Sequence, residues 1–187
     1  MYKIIAIMGK AGSGKDSIMQ EVLAGSVRLH EIVSCTTRPK RENEVEGVNY
    51  FFYTPEQFGD KVINHEMLEC TCFNDWFYGT SFESVRSDCV NIGVFNPTGV
   101  EALIHNPDVD VIVFWINTSD KQRLLRQLNR ENDPDVSEII RRFKTDEEDF
   151  YDVTDLKPIK LINETIGDKK ACAQAIVKQA IAHFGHF

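Results

Sequence analysis

The sequence predicts an α/β fold: a parallel sheet flanked by helices, with a small α+β insertion in its middle third. Three observations carry this. An isoleucine-rich apolar run at residues 3–8 passes through a glycine-rich turn into a helical pattern. The middle of the chain then breaks into short, aromatic, turn-rich segments. After it the long apolar runs return, Val90 to Phe95 and Val109 to Ile116, and both read as core strands of the returning parallel pattern.

Residues 3–8, apolar from Ile4 onward, do not alternate, the pattern of a strand buried on both faces. The helix after the glycine turn carries Ile18, Met19, Val22 and Leu23 at helical spacing and stops near Gly25. Short segments follow at Ile32-Val33, at Tyr50-Phe51-Phe52-Tyr53 and from Met67 to Phe73. A helix begins between the last two, with Thr54 as N-cap and Pro55 at its first position. Residues 119–130 and 137–151 read as helices around a polar break, Glu131-Asn132-Asp133-Pro134. Ile159 to Ile162 is the last strand and 168–184 a closing amphipathic helix. The expected organisation is one domain over 1–187. Its core is 1–30, 90–118 and 153–187, its insertion 31–89, and its helical pair 119–152.

The chain has 187 residues, 42% hydrophobic and 27% charged, enough to bury one core with inserted subdomains. The apolar N-terminus runs straight into Gly9, which reads as a buried strand rather than an export signal. No apolar run approaches the roughly 20 residues of a membrane span. The expectation is a soluble, cytoplasmic protein whose oligomeric state the sequence leaves open. Five cysteines lack a zinc pattern. Cys70 and Cys72 alternate with Thr71 in an apolar stretch and are expected as buried, reduced thiols. His183 and His186 read as surface residues without partners. A net charge of -8 argues against general nucleic-acid binding, but not against a small phosphorylated ligand in a local cationic pocket. The arginines cluster, Arg38 with Arg41, and Arg123, Arg126, Arg130, Arg141 and Arg142 further on.

Gly9-Lys10-Ala11-Gly12-Ser13-Gly14-Lys15 fits the first seven positions of the phosphate-loop pattern G-x-x-x-x-G-K-[ST]. Glycines allow successive backbone N–H groups to wrap a phosphate, the helix N-terminus adds its dipole, and the lysine bridges the transferring phosphates. The eighth position departs from the pattern. Asp16 stands where a hydroxyl normally ligates Mg²⁺, with Ser17 one place on. A carboxylate is also a good Mg²⁺ ligand, so Asp16 is the metal candidate, direct or through water; the alternative is a pair with a nearby arginine. The expected fold is thus a P-loop NTPase-type sheet with an inserted subdomain.

The segment from Ser34 to Phe52 says more. It contains Ser34-Cys35-Thr36-Thr37-Arg38 with Arg41, then Glu44, Gly47, Tyr50 and Phe52. Two arginine forks followed by a phenol suit a phosphate dianion. In these positions the chain resembles the guanylate kinase family, whose hallmark is S-x-T-T-R-x-x-R followed by E-x-x-G-x-x-Y-x-F. The resemblance continues through Glu66-Met67-Leu68-Glu69 and Tyr78-Gly79-Thr80, and more loosely to Asn163. It implies ATP and Mg²⁺ as cofactors, with Asn163 on the nucleotide side. It also implies that Arg38, Arg41, Tyr50 and Tyr78 hold the acceptor phosphate. Ser34, Glu69 and Thr80 would read guanine, whose N1–H and N2–H donors suit a carboxylate. Arg126 and Arg130, four apart, and Arg142, with Arg141 as the alternative, would be the lid arginines that join Lys15 in catalysis.

The match fails on one strand. Aligned on Gly99, Val94 and Asn96 stand where the family carries two aspartates, one tied to the metal and one to guanine. Asn96 keeps an acceptor but adds a donor and loses charge, so base selectivity is expected to be looser or shifted. The G-K-D loop looks more like phage kinases for deoxynucleoside monophosphates. The leading expectation is phosphorylation of GMP or dGMP by in-line transfer. The rivals are a broader dNMP kinase and a catalytically inactive guanylate-kinase-like binding module.

Overall fold

Strand β1 (Tyr2–Met8) lies at the centre of a parallel sheet because it has no polar face to offer water. Ile4 through Met8 are fully buried. Its neighbours are β7 (Val90–Val94) and β8 (Val109–Asn117), both parallel to it. β2 (Leu29–Glu31) and β9 (Ile159–Ile162) complete a five-stranded sheet in the order β2-β7-β1-β8-β9. Successive residues of β1 face opposite sides. Ile5 and Ile7 join a core with Ile18, Val22, Phe114 and Ile176, under α1 (Lys15–Leu23) and α6 (Asp168–Phe184). Ile4, Ala6 and Met8 join the other core, with Val100, Leu103 and Phe150, under α3 (Pro97–His105). Each fully buried isoleucine contributes about 1.5–3 kcal/mol.

The computed structural model describes residues 1–25, 28–42, 44–73, 75–130 and 133–186. Within them the chain crosses to a second sheet, in the order β4-β3-β6-β5. It is built from β3 (Cys35–Thr36), β4 (Phe51–Phe52), β5 (Met67–Phe73) and β6 (Trp76–Ser81). Helix α2 (Pro55–Ile63) starts at a full capping box. The Thr54 hydroxyl accepts from Gln57 N at 3.2 Å, and the Gln57 side chain accepts from Thr54 N at 2.9 Å. Its buried Phe58 stacks on Phe77 with centroids 5.6 Å apart. The strand expected at Ile32-Val33 forms earlier, at Leu29–Glu31, because β7 offers its open edge there.

Two expectations on surface residues change. Cys70 and Cys72 are exposed, whereas Glu69 and Thr71 are buried. The strand does alternate, but its inward side faces a polar cleft, so the apolar-looking thiols take the outer side. His183 has a partner: its Nε2 lies 2.8 Å from Asp110 Oδ1. Among the described residues no helix is long and apolar enough to cross a membrane.

Helices α4 (Asp120–Leu128) and α5 (Val136–Asp149) stand where a helical pair was expected. Helix α4 ends two residues early, with Asn129 as its C-cap. Asp135 caps α5 by accepting from Glu138 N. Of the polar break between them, Glu131 and Asn132 lie outside the described residues.

Candidate active site

The loop from β1 to α1 folds around two glycines that no other residue replaces easily. Gly12 has φ +78° and Gly14 φ +85°, a region where a side chain is strained. A β-carbon on Gly14 would also lie 2.6 Å from Asn163 Nδ2. The carbonyls of this loop point into the protein. Ser13 O accepts from Asn163 Nδ2 at 2.7 Å, Arg126 Nη1 at 3.1 Å and Thr118 Oγ1 at 3.1 Å. Ala11 O accepts from Arg123 Nε at 2.9 Å. In a trans peptide the next N–H points the opposite way, so the amides of Gly12 and Gly14 turn outward. Among the described residues no side chain caps α1, which leaves its first-turn donors and positive dipole end toward the same side. This is an anion cradle.

That cradle opens on a cleft of about 730 Å³. Lys15 and Asp16 line it, with Lys15 Nζ 3.6 Å from Asp16 Oδ2 and the Asp16 side chain 75% exposed. Gly9 lines it as well, while Ser13 lies fully buried beneath the loop. Ser17 is exposed away from the cleft, because it falls on the outer face of α1.

The opposite wall comes from the second sheet. Ser34, Arg38, Arg41, Tyr50, Glu69 and Tyr78 all line the same cleft. Arg38 is buried; its Nη1 donates to Pro39 O at 2.8 Å and its Nη2 to Glu44 Oε1 at 2.7 Å. Its guanidinium lies 5.5 Å from the Tyr50 ring centroid and 5.7 Å from that of Phe52. The Arg38 hydrogen bond holds the Glu44 carboxyl below its usual range, and Glu44 in turn accepts the Arg41 N–H at 2.8 Å. Burial pushes the Tyr50 hydroxyl up, so it stays a neutral donor.

Glu69 is the buried carboxyl of this wall. Desolvation pushes its pKa up to about 7, opposed by the Thr80 hydroxyl and amide. Thr80, the cross-strand partner of Glu69, is fully buried, and its Oγ1 has no hydrogen-bond partner among the described residues. Asn96 lines the cleft from the main sheet. Its Oδ1 caps α3 by accepting from Gly99 N at 2.8 Å, and its Nδ2 donates to Thr71 Oγ1 at 3.1 Å. Thr71, two residues from Glu69 on the same face, is a lining residue that the sequence reading missed.

The arginines of α4 and α5 divide differently from expectation. Arg130 and Arg142 line the cleft. Arg126 does not, because its fork is spent on backbone carbonyls: Gly12 and Ser13 through Nη1, Asn163 and Glu164 through Nη2. Arg130 lies beyond the end of α4, so the four-residue spacing does not put the two on one helical face. Asn163 likewise faces the loop rather than the cleft, giving its amide to Ser13 O. Arg141 lines the cleft beside Arg142. Both bind Glu138, at 2.6 and 2.8 Å, and the Arg141 hydrogen bond leads in pulling that carboxyl down to about 2. Arg141 Nη1 is buried and donates to no described residue. Arg123 and Asp146, neither assigned a role from sequence, meet under the loop. A pairing across 23 residues on two helices leaves no local signal.

A family model described as guanylate kinase matches residues 1–157 of the chain. The guanylate kinase of Mycoplasma genitalium is 26% identical over 178 residues, which cover 90% of this chain and 74% of that protein. The guanylate kinase of Mycoplasmoides gallisepticum is 40% identical over 84 residues, covering 44% of this chain and 43% of that protein. The crystal structure of guanylate kinase from Anaplasma phagocytophilum matches with a TM-score of 0.73 at 20% identity, over 97% of this chain and 85% of that one. At that identity the likeness establishes the fold.

Proposed function

The chain belongs to the guanylate kinase family of nucleoside monophosphate kinases, and from that premise we propose that it phosphorylates GMP or dGMP at the expense of ATP. One juxtaposition supports the reading. The anion cradle at the start of α1 and the Arg38, Arg41 and Tyr50 donors face each other across a single cleft, with the buried carboxyl of Glu69 beyond them. Two anion sites of different build sharing one cavity suit transfer between two phosphates.

In the proposed reaction an oxygen of the acceptor phosphate attacks the γ-phosphorus of ATP. The new P–O bond forms as the bond to the β-phosphate oxygen breaks, and ADP leaves. The acceptor phosphate is largely dianionic at neutral pH, so no general base is needed. Catalysis is then positioning and charge cancellation. The loop amides and Lys15 hold the donor phosphates, Arg38, Arg41, Tyr50 and Tyr78 hold the acceptor, and Arg130, Arg141 and Arg142 bring cationic charge to the same space. Ionised Glu69 accepts the two N–H groups of guanine, with Ser34 and Asn96 beside it.

No group of three or more His, Cys, Asp or Glu among the described residues could cage a metal ion. That fits Mg²⁺ arriving with the nucleotide, which needs only one or two carboxylates besides phosphates. Asp16, exposed at the loop, is the residue that would hold it, and the ion would supply charge neutralisation on the phosphates. Asp16→Ala is expected to raise the Mg²⁺ concentration for half-maximal rate about tenfold, equivalent to about 1.4 kcal/mol, with the acceptor KM unchanged. An unchanged Mg²⁺ titration would take Asp16 off the metal.

The test of the whole reading is coupled ADP release with a panel of NMPs and dNMPs. Turnover confined to GMP and dGMP supports it. Turnover with other bases would instead support a broader dNMP kinase, which the neutral Asn96–Thr71 contact favours. No turnover with any acceptor would leave a binding module.

A further inference from the structure

Arg123 is fully buried, and an unpaired guanidinium there would cost several kcal/mol. Every arm of its fork is committed. Nη1 donates to Asp120 Oδ1 at 2.6 Å, Nη2 to Asp146 Oδ2, and Nε to Ala11 O at 2.9 Å, while the guanidinium lies 4.3 Å from the Phe143 ring centroid. The same Asp146 oxygen accepts the Ala11 N–H at 2.9 Å. The pair therefore takes both backbone groups of one residue in the phosphate loop, the carbonyl by the arginine and the amide by the carboxylate. Independently, a β-carbon on Gly12 would lie 2.7 Å from Arg123 O, so the loop is seated against the backbone of α4 at this residue. Lys10 adds an ion pair to Glu147, next to Asp146 on α5.

Core packing alone does not call for this arrangement. Two apolar side chains of similar volume would join α4 to α5 as well, without the desolvation of two charges. What apolar residues could not do is fix the peptide groups on either side of Ala11. With Ala11 O turned inward, the Gly12 amide is aimed outward before any ligand arrives. We propose that the Arg123–Asp146 pair is a positioning device that holds the phosphate loop in its wrapped form and thereby sets the affinity for the donor nucleotide. This rests on the reading of the loop as the ATP site. A preformed loop spares donor binding the entropy of ordering several residues, and the acceptor wall has no share in that gain.

The experiment combines amide hydrogen exchange of Ala11 in the ligand-free protein with separate KM measurements for ATP and acceptor. Arg123→Met and Asp146→Leu are expected to speed Ala11 exchange at least tenfold. They should raise the ATP KM about tenfold and leave the acceptor KM within about twofold. Asp146→Asn keeps an acceptor for both partners and is expected to retain most of the ATP affinity. Should either single variant fold poorly, the double variant Arg123→Met/Asp146→Leu removes the stranded charge and is expected to fold with the same loosened loop. Unchanged Ala11 exchange, or equal rises in both KM values, would overturn the proposal and leave the pair a structural one. A wild-type protein that does not turn over ATP would overturn the donor reading, while the exchange measurement would still decide the tether.

Discussion

Replacing Lys15 with methionine is expected to lower kcat/KM by about two to three orders of magnitude while leaving the fold intact. The size follows from what such a charge does in the transition state. Removing one preorganised donor to developing negative charge, in a cleft closed to water, typically costs about 3–4 kcal/mol. The intact fold follows from what Lys15 touches without ligand. Among the described residues its ion-pair partner is Asp16, 3.6 Å away and largely exposed, and an exposed pair of that kind is worth about 0–1 kcal/mol. The buried Asp146 carboxyl, which also feels the Lys15 charge, keeps Arg123 as its partner, and methionine is a good helix former at the first position of α1. Steady-state ADP release and thermal unfolding on the same sample check this. A rate within tenfold of wild type would show that the loop binds phosphate without Lys15. A fall in Tm matching the fall in rate would show that the lysine holds structure rather than charge. Lys15→Arg is expected to rescue little, because a planar fork does not replace a compact ammonium.

The features legible in the sequence are those whose signal is local. The run in β1 is buried on both faces, so it reads as a core strand without knowledge of its neighbours. Thr54 and Pro55 are adjacent and define the start of α2 by themselves. The phosphate loop is a spacing pattern, and Arg38, Arg41 and Tyr50 follow each other within one segment. Contacts made across a gap leave no such signal. Helical spacing pairs Arg126 with Arg130, yet it carries no information about the loop carbonyls that take up the Arg126 fork. Alternation in β5 gives two faces but not which one meets the interior, and with a polar cleft on the inner side Cys70 and Cys72 face outward. The Arg123–Asp146 contact lay beyond any local rule, since the partners sit on separate helices.

Glu69→Gln is expected to give a protein that is more stable at pH 8 and far poorer with GMP. Burial raises the Glu69 carboxyl from 4.5 to about 7, so the folded protein keeps a proton that the unfolded chain releases. That stabilisation is full below the unfolded value and is lost as the pH rises through 7; above it, the buried ionised carboxylate costs on the order of 3 kcal/mol. Glutamine does not titrate. The variant is expected to lack the Glu69 share of the pH dependence, to lie close to wild type near pH 5, and to exceed it by roughly 1–3 kcal/mol at pH 8. The catalytic effect has the opposite sign. An ionised carboxylate accepts both N1–H and N2–H of guanine, whereas an amide brings one acceptor and sets a donor against a donor. Losing one charged hydrogen bond and leaving one group unpaired costs about 2–4 kcal/mol, or roughly 10²–10³ in kcat/KM. Wild-type affinity for GMP should also rise with pH through about 7 as Glu69 ionises, a dependence that the glutamine variant lacks. Denaturant unfolding at pH 5 and 8, with GMP kinetics at both, separates the two effects. Loss of stability together with unchanged GMP kinetics would make Glu69 a structural group. Gain of one with loss of the other is what a carboxylate kept in an unfavourable place for its ligand must show.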